Sequence, residues 1–103
     1  MSYDVTLAAE GTASIDLGNY TSNCRDMFEL ALGRPILKLD GVPAAGAARI
    51  LRKAVDRMHA YASVYAALDP ASGWGDSVSA REWLERMAGL CEENPDRTMR
   101  VNA

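Results

Sequence analysis

The sequence predicts an α+β fold: a three-stranded antiparallel sheet (β-β-α-α-α-β) covered on one face by helices. Three observations carry that expectation. Both ends of the chain alternate apolar and polar residues with period two, as half-buried strands do. The stretch between Asn23 and Asn94 carries three apolar stripes at helical spacing. A length of 103 residues leaves room for a single domain, 1–103.

In residues 2–9, Tyr3, Val5, Leu7 and Ala9 point one way and Ser2, Asp4, Thr6 and Ala8 the other. Residues 12–17 repeat the pattern with Ala13, Ile15 and Leu17. The two apolar sets share a face only if Leu7 pairs with Ile15 or Ala13, because a one-residue slip inverts a strand. A loop of about three to five residues around Glu10-Gly11 follows, with Gly11 at positive φ. Gly18-Asn19 is expected to end the hairpin.

Thr21, Ser22 and Asn23 are all suitable N-caps for a first helix. Its stripe is Cys24, Met27, Phe28 and Ala31, and Gly33 and Pro35 close it. Residues 34–42 read as a connector with an apolar clamp (Ile36, Leu37, Leu39) and an Asp40-Gly41 turn. The longest helix starts near Pro43. Ala47, Ile50, Leu51, Ala54, Met58, Tyr61, Ala62 and Tyr65 hold one stripe for about five turns, until Asp69-Pro70 stops it. The third helix shows a capping-box pattern, Ser79-x-x-Glu82. It turns Trp83, Leu84, Met87, Ala88 and Cys91 inward and sets Arg81/Glu85 and Glu82/Arg86 as exposed pairs. After Asn94-Pro95, residues 97–103 alternate again as a last strand.

Strand order then becomes decisive. With the first strand central, the helix starts near Asn23 and Ser77 lie at one edge of the sheet. With the second strand central they lie at opposite edges.

Composition narrows the functional classes. Fourteen acidic against 11 basic residues give a charge of −3, which disfavours general nucleic-acid binding but not a local basic patch. No apolar run is long enough for a membrane span, and Met1-Ser2-Tyr3-Asp4 lacks the blocks of a leader peptide. Cys24 and Cys91 fall on helix stripes and read as reduced, buried thiols, which fits the cytoplasm. No zinc spacing, phosphate loop or paired-carboxylate signature appears, so no metal, cofactor or catalytic residue is assigned. A Cys24–His59 couple is the one nucleophilic arrangement to weigh, and the place of Cys24 on an apolar stripe argues against it.

Two clusters exceed structural need. In Asp69-Pro70-Ala71-Ser72-Gly73-Trp74-Gly75-Asp76, an indole sits between two glycines on no helical or strand face. It is either a plug for the end of the core or a stacking plate and interface anchor. Asn19-Tyr20-Thr21-Ser22-Asn23 holds more polar groups than one helix cap requires, and a helix start also suits an anion. On the longest helix, Arg49, Arg52, Lys53 and Arg57 form a basic outer side. It is a solvated face or a contact surface for an acidic protein or nucleic acid.

The run Tyr20-Thr21-Ser22-Asn23 with Met27, then Asp69-Pro70 and Gly73-Trp74-Gly75-Asp76, then a short strand ending in Arg100-Val101, resembles a family of small functionally uncharacterised bacteriophage-encoded proteins. Many of those phages infect actinobacteria. Relatives often carry proline where this chain has Asp26 and asparagine where it has Ser72. The resemblance implies a non-catalytic accessory role, host takeover or counter-defence, in the host cytoplasm.

The expected binding edge is therefore Tyr20, Thr21, Asn23, Trp74, Gly75 and Asp76. Its partner is a host protein or a small polar, nucleotide-like ligand. The alternative is an interaction or minor structural module that uses Arg49, Arg52, Lys53 and Arg57 or an open sheet edge, which is also compatible with a homodimer.

Overall fold

A computed structural model describes residues 1–103. Three strands, β1 (Ser2–Ala8), β2 (Ile15–Thr21) and β3 (Thr98–Asn102), form one antiparallel sheet in the order β2-β1-β3. The first strand is therefore central. Four helices, α1 (Arg25–Leu32), α2 (Ala44–Ala60), α3 (Ala62–Ala66) and α4 (Ser77–Glu93), complete the α+β fold. Tyr3, Val5 and Leu7 of β1, Leu17 of β2 and Met99 and Val101 of β3 join the buried stripes of the helices in one hydrophobic core. The core contains no buried polar or charged residue. The other sheet face is polar, and there Asn19 Nδ2 donates to Asp4 Oδ1 at 2.7 Å and Ser2 Oγ at 2.8 Å.

Leu7 pairs with Ile15 and Gly11 has φ +78, as the alternation requires. The connection spans Ala9–Ser14, longer than expected, and Ala13 lies outside the strand. The strand also runs past Gly18-Asn19. Thr6 faces Asp16 but Val5 faces Gly18, so Leu17 is an extra residue in β2. This bulge shifts the alternation by one. Asn19 turns outward and Tyr20, opposite Tyr3, turns toward the helices. Gly18 can occupy the bulge because it has no Cβ at φ +97.

The connector lies along the outer edge of β3. Gly41 N–H donates to Met99 C=O at 2.8 Å, Met99 N–H to Val42 C=O at 2.9 Å, and Val101 N–H to Asp40 Oδ1 at 3.0 Å. These bonds satisfy groups that an edge strand leaves open, so β2 holds the remaining sheet edge. Ile36 and Leu39 are buried, whereas Leu37, expected in the apolar clamp, faces solvent.

The long helix is interrupted. Tyr61 leaves helical geometry (φ −119, ψ 42), ends α2 and precedes the short α3. The redirected turn packs α3 against α4 and buries Tyr65, while Tyr61 swings into solvent. Together with Leu30, Arg57, Val64 and Tyr65, Tyr61 lines a shallow apolar groove. On α4, no ion pair forms between Arg81 and Glu85 or between Glu82 and Arg86; the three ion pairs lie elsewhere.

Candidate functional site

The face change at Gly18 builds the site from below. Tyr20 lies under α4, stacked on Trp83 with ring centroids 5.3 Å apart and an interplanar angle of 17°. Phe28 meets both rings edge-on, at 5.5 and 5.7 Å. Trp83 Nε1 donates to the Leu17 carbonyl at 3.0 Å, a buried bond that satisfies both polar groups. The ring can come this close because a Cβ on Gly18 would stand 3.1 Å from Trp83 Nε1 and 3.0 Å from Arg86 Nη2.

The Tyr20 hydroxyl then holds the second cluster. It accepts the Asp76 N–H at 3.1 Å and lies 2.6 Å from Ser79 Oγ and 3.1 Å from the Asp76 carbonyl. Burial raises its pKa above the ordinary tyrosine value, while the bonds to Ser79 and Asp76 pull the other way. The hydroxyl keeps its proton near neutral pH and can donate. Asp76, not Ser79, is the N-cap of α4, with Oδ1 accepting the Ser79 N–H at 2.8 Å. The capping-box reading therefore fails, because Ser79 is the third residue of α4, where its hydroxyl meets the Tyr20 hydroxyl and the Asp76 carbonyl. A second carboxylate, Asp69, accepts the Ser77 N–H at 2.7 Å.

The three polar residues beyond Tyr20 each have a separate partner. Thr21 Oγ1 caps the 3₁₀ turn Ser22–Cys24 by accepting the Asn23 N–H at 3.2 Å. Ser22 N–H and Oγ both donate to the Met1 carbonyl, at 3.1 and 3.0 Å. Asn23 Nδ2 reaches Ser72 Oγ at 3.5 Å, across to the glycine loop. Ser72 Oγ also accepts the Trp74 N–H at 3.3 Å.

Tyr20, Thr21, Asn23, Trp74, Gly75 and Asp76 are thus brought to one rim. The indole is not a core plug: Trp74 is 73% exposed. Its loop is held through Gly75 instead, at φ +88. A Cβ there would stand 2.8 Å from Thr21 Cγ2, 2.9 Å from Cys24 Sγ and 3.2 Å from the Tyr20 hydroxyl. Leu68 and Val78, which flank the loop in sequence, also face solvent. The amides expected to meet an anion already bond to Asp69, Asp76, Tyr20 and Thr21. None of the clefts is lined by Trp74; the nearest, beside Tyr20, is lined by Asn19, Ser79, Glu82, Trp83 and Arg86.

The two thiols are poorly suited to nucleophilic work. Cys24 is buried, and desolvation raises its pKa despite a hydrogen bond from Tyr20. Burial pushes Cys91 up to about 11. His59 stands exposed on α2. No three His, Cys, Asp or Glu side chains gather as a metal site.

The basic helix divides into two parts. Arg52 is clamped by Glu92, with Nε and Nη2 donating to the two carboxylate oxygens at 3.0 and 2.7 Å. Arg57 Nη1 donates to the Ala31 carbonyl at 2.7 Å, at the C-terminal end of α1. Arg49 and Lys53 are exposed and have no carboxylate within ion-pair distance. Sequence reasoning missed Asp69, Ser79 and Trp83 as supports of the rim. The partners of Ser79 and Trp83 lie far away in the chain, where only the face switch after Gly18 hinted at them, whereas Asp69 holds the amide of Ser77, eight residues on. The chain matches no protein-family model, no curated protein and no solved structure.

Proposed function

We propose that this chain is a non-catalytic binding protein that engages a protein partner through the Trp74 rim. One observation carries the reading: a large aromatic residue is 73% exposed on a loop whose Gly75 backbone packs closely on Thr21, Cys24 and Tyr20. Solvent exposure of an indole is costly in water, and burying it at an interface recovers that cost. Tryptophan is enriched among the residues that dominate interface energies. Fixing the loop beforehand lowers the ordering entropy that association must overcome.

Mutual bonding of the rim's polar groups, and the lack of a cleft lined by Trp74, favour a protein surface over a small polar ligand as the occupant. Asp69 and Asp76 border the loop, so a complementary pocket carries donor or cationic groups at its margin. The phage resemblance supplies the setting within this proposal: a host protein bound during takeover or counter-defence, in the host cytoplasm.

Affinity capture from a host lysate, with wild type and Trp74→Ala as baits, tests it. A specific partner should be retained by wild type and lost by the variant, while the urea midpoint stays unchanged. A stability loss equal to the binding loss would make Trp74 a structural residue.

A further inference from the structure

The geometry points to a second site, independent of the Trp74 rim: a cationic cleft between the end of α1 and one face of α2 that takes an organic polyphosphate of mononucleotide size. Gly33, at φ +72, turns the chain out of α1 so that Arg34 arrives beside α2. On α2, Gly46, Arg49, Ile50, Lys53 and Arg57 follow i, i+3, i+4, i+7 and i+11 spacing, which sets them along one face. With Leu32 they line a cleft of about 410 Å³. That volume falls in the range of small-molecule sites, roughly 300–1,000 Å³.

Charge is concentrated there. Arg34, Arg49, Lys53 and Arg57 all line the cleft, and none has a carboxylate within ion-pair distance. Their neighbour Arg52 is neutralised by Glu92, so the fold pairs one cation of this helix and leaves the cleft's four unpaired. The bond from Arg57 to the Ala31 carbonyl fixes its guanidinium without cancelling its charge. Among the first-turn amides of α2, those of Ala44, Ala45 and Ala47 bond the carbonyls of Arg97, Pro95 and Pro43. The Gly46 N–H, at the cleft wall, has no such acceptor.

These features select the ligand class. Guanidinium groups match phosphate oxygens in paired hydrogen bonds, and three of the four cations are arginines. A single phosphate carries at most about two charges, so four cations are better matched by two or three linked phosphates. Half-buried Ile50 offers an apolar margin for the organic body. The whole chain is at −3, so a long nucleic acid would meet repulsion beyond the cleft. A compact ligand feels mainly the field within about one screening length, roughly 8–10 Å.

Calorimetric titration of the full chain tests the site, with ATP, AMP and a single-stranded oligonucleotide as probes. ATP should bind saturably and more tightly than AMP. Arg49→Ala combined with Lys53→Ala should weaken ATP by about a hundredfold, since each charge-assisted bond is worth roughly tenfold. Arg34→Ala should weaken it about tenfold, and Lys38→Ala, an exposed cation outside the cleft, should leave it unchanged. All the replaced side chains are exposed, so circular dichroism should be unaltered. No saturable ATP binding, undiminished binding by the double variant, or an oligonucleotide that binds more tightly than ATP would each overturn the assignment.

Discussion

Replacing Gly75 by alanine attacks the joint on which the Trp74 rim depends. The residue sits at φ +88, where a Cβ costs about 1–2 kcal/mol in backbone energy. The new methyl would also stand 2.8 Å from Thr21 Cγ2 and 2.9 Å from Cys24 Sγ, closer than carbon contacts allow. Neither neighbour yields easily: Thr21 is β-branched and caps the 3₁₀ turn, and Cys24 is buried. The loop must therefore lift and loosen the Tyr20 bonds to Asp76 and Ser79, each worth about 1 kcal/mol. Together the losses come to about 2–4 kcal/mol. For a domain of this size that is a fall in Tm of about 10 °C or more. Urea denaturation followed by circular dichroism measures the change, and partner capture should fall with it because the indole is no longer held. A loss below about 0.5 kcal/mol would refute the clamp, since that is the range of an ordinary surface substitution.

Three further outcomes follow from the same geometry. Trp83→Phe keeps an aromatic ring beside Tyr20 but leaves the Leu17 carbonyl without its donor; denaturation should show a loss of about 1–3 kcal/mol. Gly46→Ala should stabilise the protein by about 0.5–1 kcal/mol, because a Cβ there makes only ordinary contacts, with Val42 Cγ1 at 3.6 Å and Arg49 Nη2 at 4.0 Å, and that turn of the helix no longer carries a glycine; a fall in Tm would show hidden strain. Burial raises Cys91 from an ordinary 9.0 to about 11, so the folded state holds this proton longer than the unfolded one. The stability it contributes is whole below pH 9.0 and drains away as the pH rises toward 11. A Cys91→Ala variant should show a shallower alkaline slope, keeping the share that Cys24 and the buried tyrosines contribute, as a pH series of urea midpoints would reveal.

Alternation and helical spacing made most of the architecture legible. The strand faces, the Leu7–Ile15 register and the helix stripes all follow from local periodicity. What periodicity conceals is any feature set by a distant partner. Which strand is central depends on where β3 inserts, and Asp40–Val42 then supplies backbone partners along its outer edge. The Gly18 bulge leaves a trace in the sequence, because the alternation resumes one residue out of phase at Asn19 and Tyr20. Tyr61 would continue the stripe on a straight helix; the interruption serves instead to aim Tyr65 at the core.

The candidate site divides in the same way. Glycines on both sides of Trp74 mark an unusual loop, but burial of the indole depends on which part of the loop docks, and it is the Gly75 backbone that does. Three polar residues at the β2–α1 corner looked redundant as caps. Each proves to serve a different contact, to the 3₁₀ turn, to Met1 and to Ser72. On α2, spacing groups Arg49, Lys53 and Arg57 correctly, whereas neutralisation of Arg52 needs Glu92 from α4, and Arg34 enters the cleft from the end of α1.

Fluorine NMR of the chain labelled with fluorotryptophan, with the two signals assigned by Trp74→Phe, reads the state of the rim indole itself. The account requires the Trp74 signal to show a full solvent isotope shift and to relax at the tumbling rate of the whole molecule. A signal shielded from solvent, or one narrowed by fast independent motion, would mean that no outward-facing aromatic is held ready for a partner.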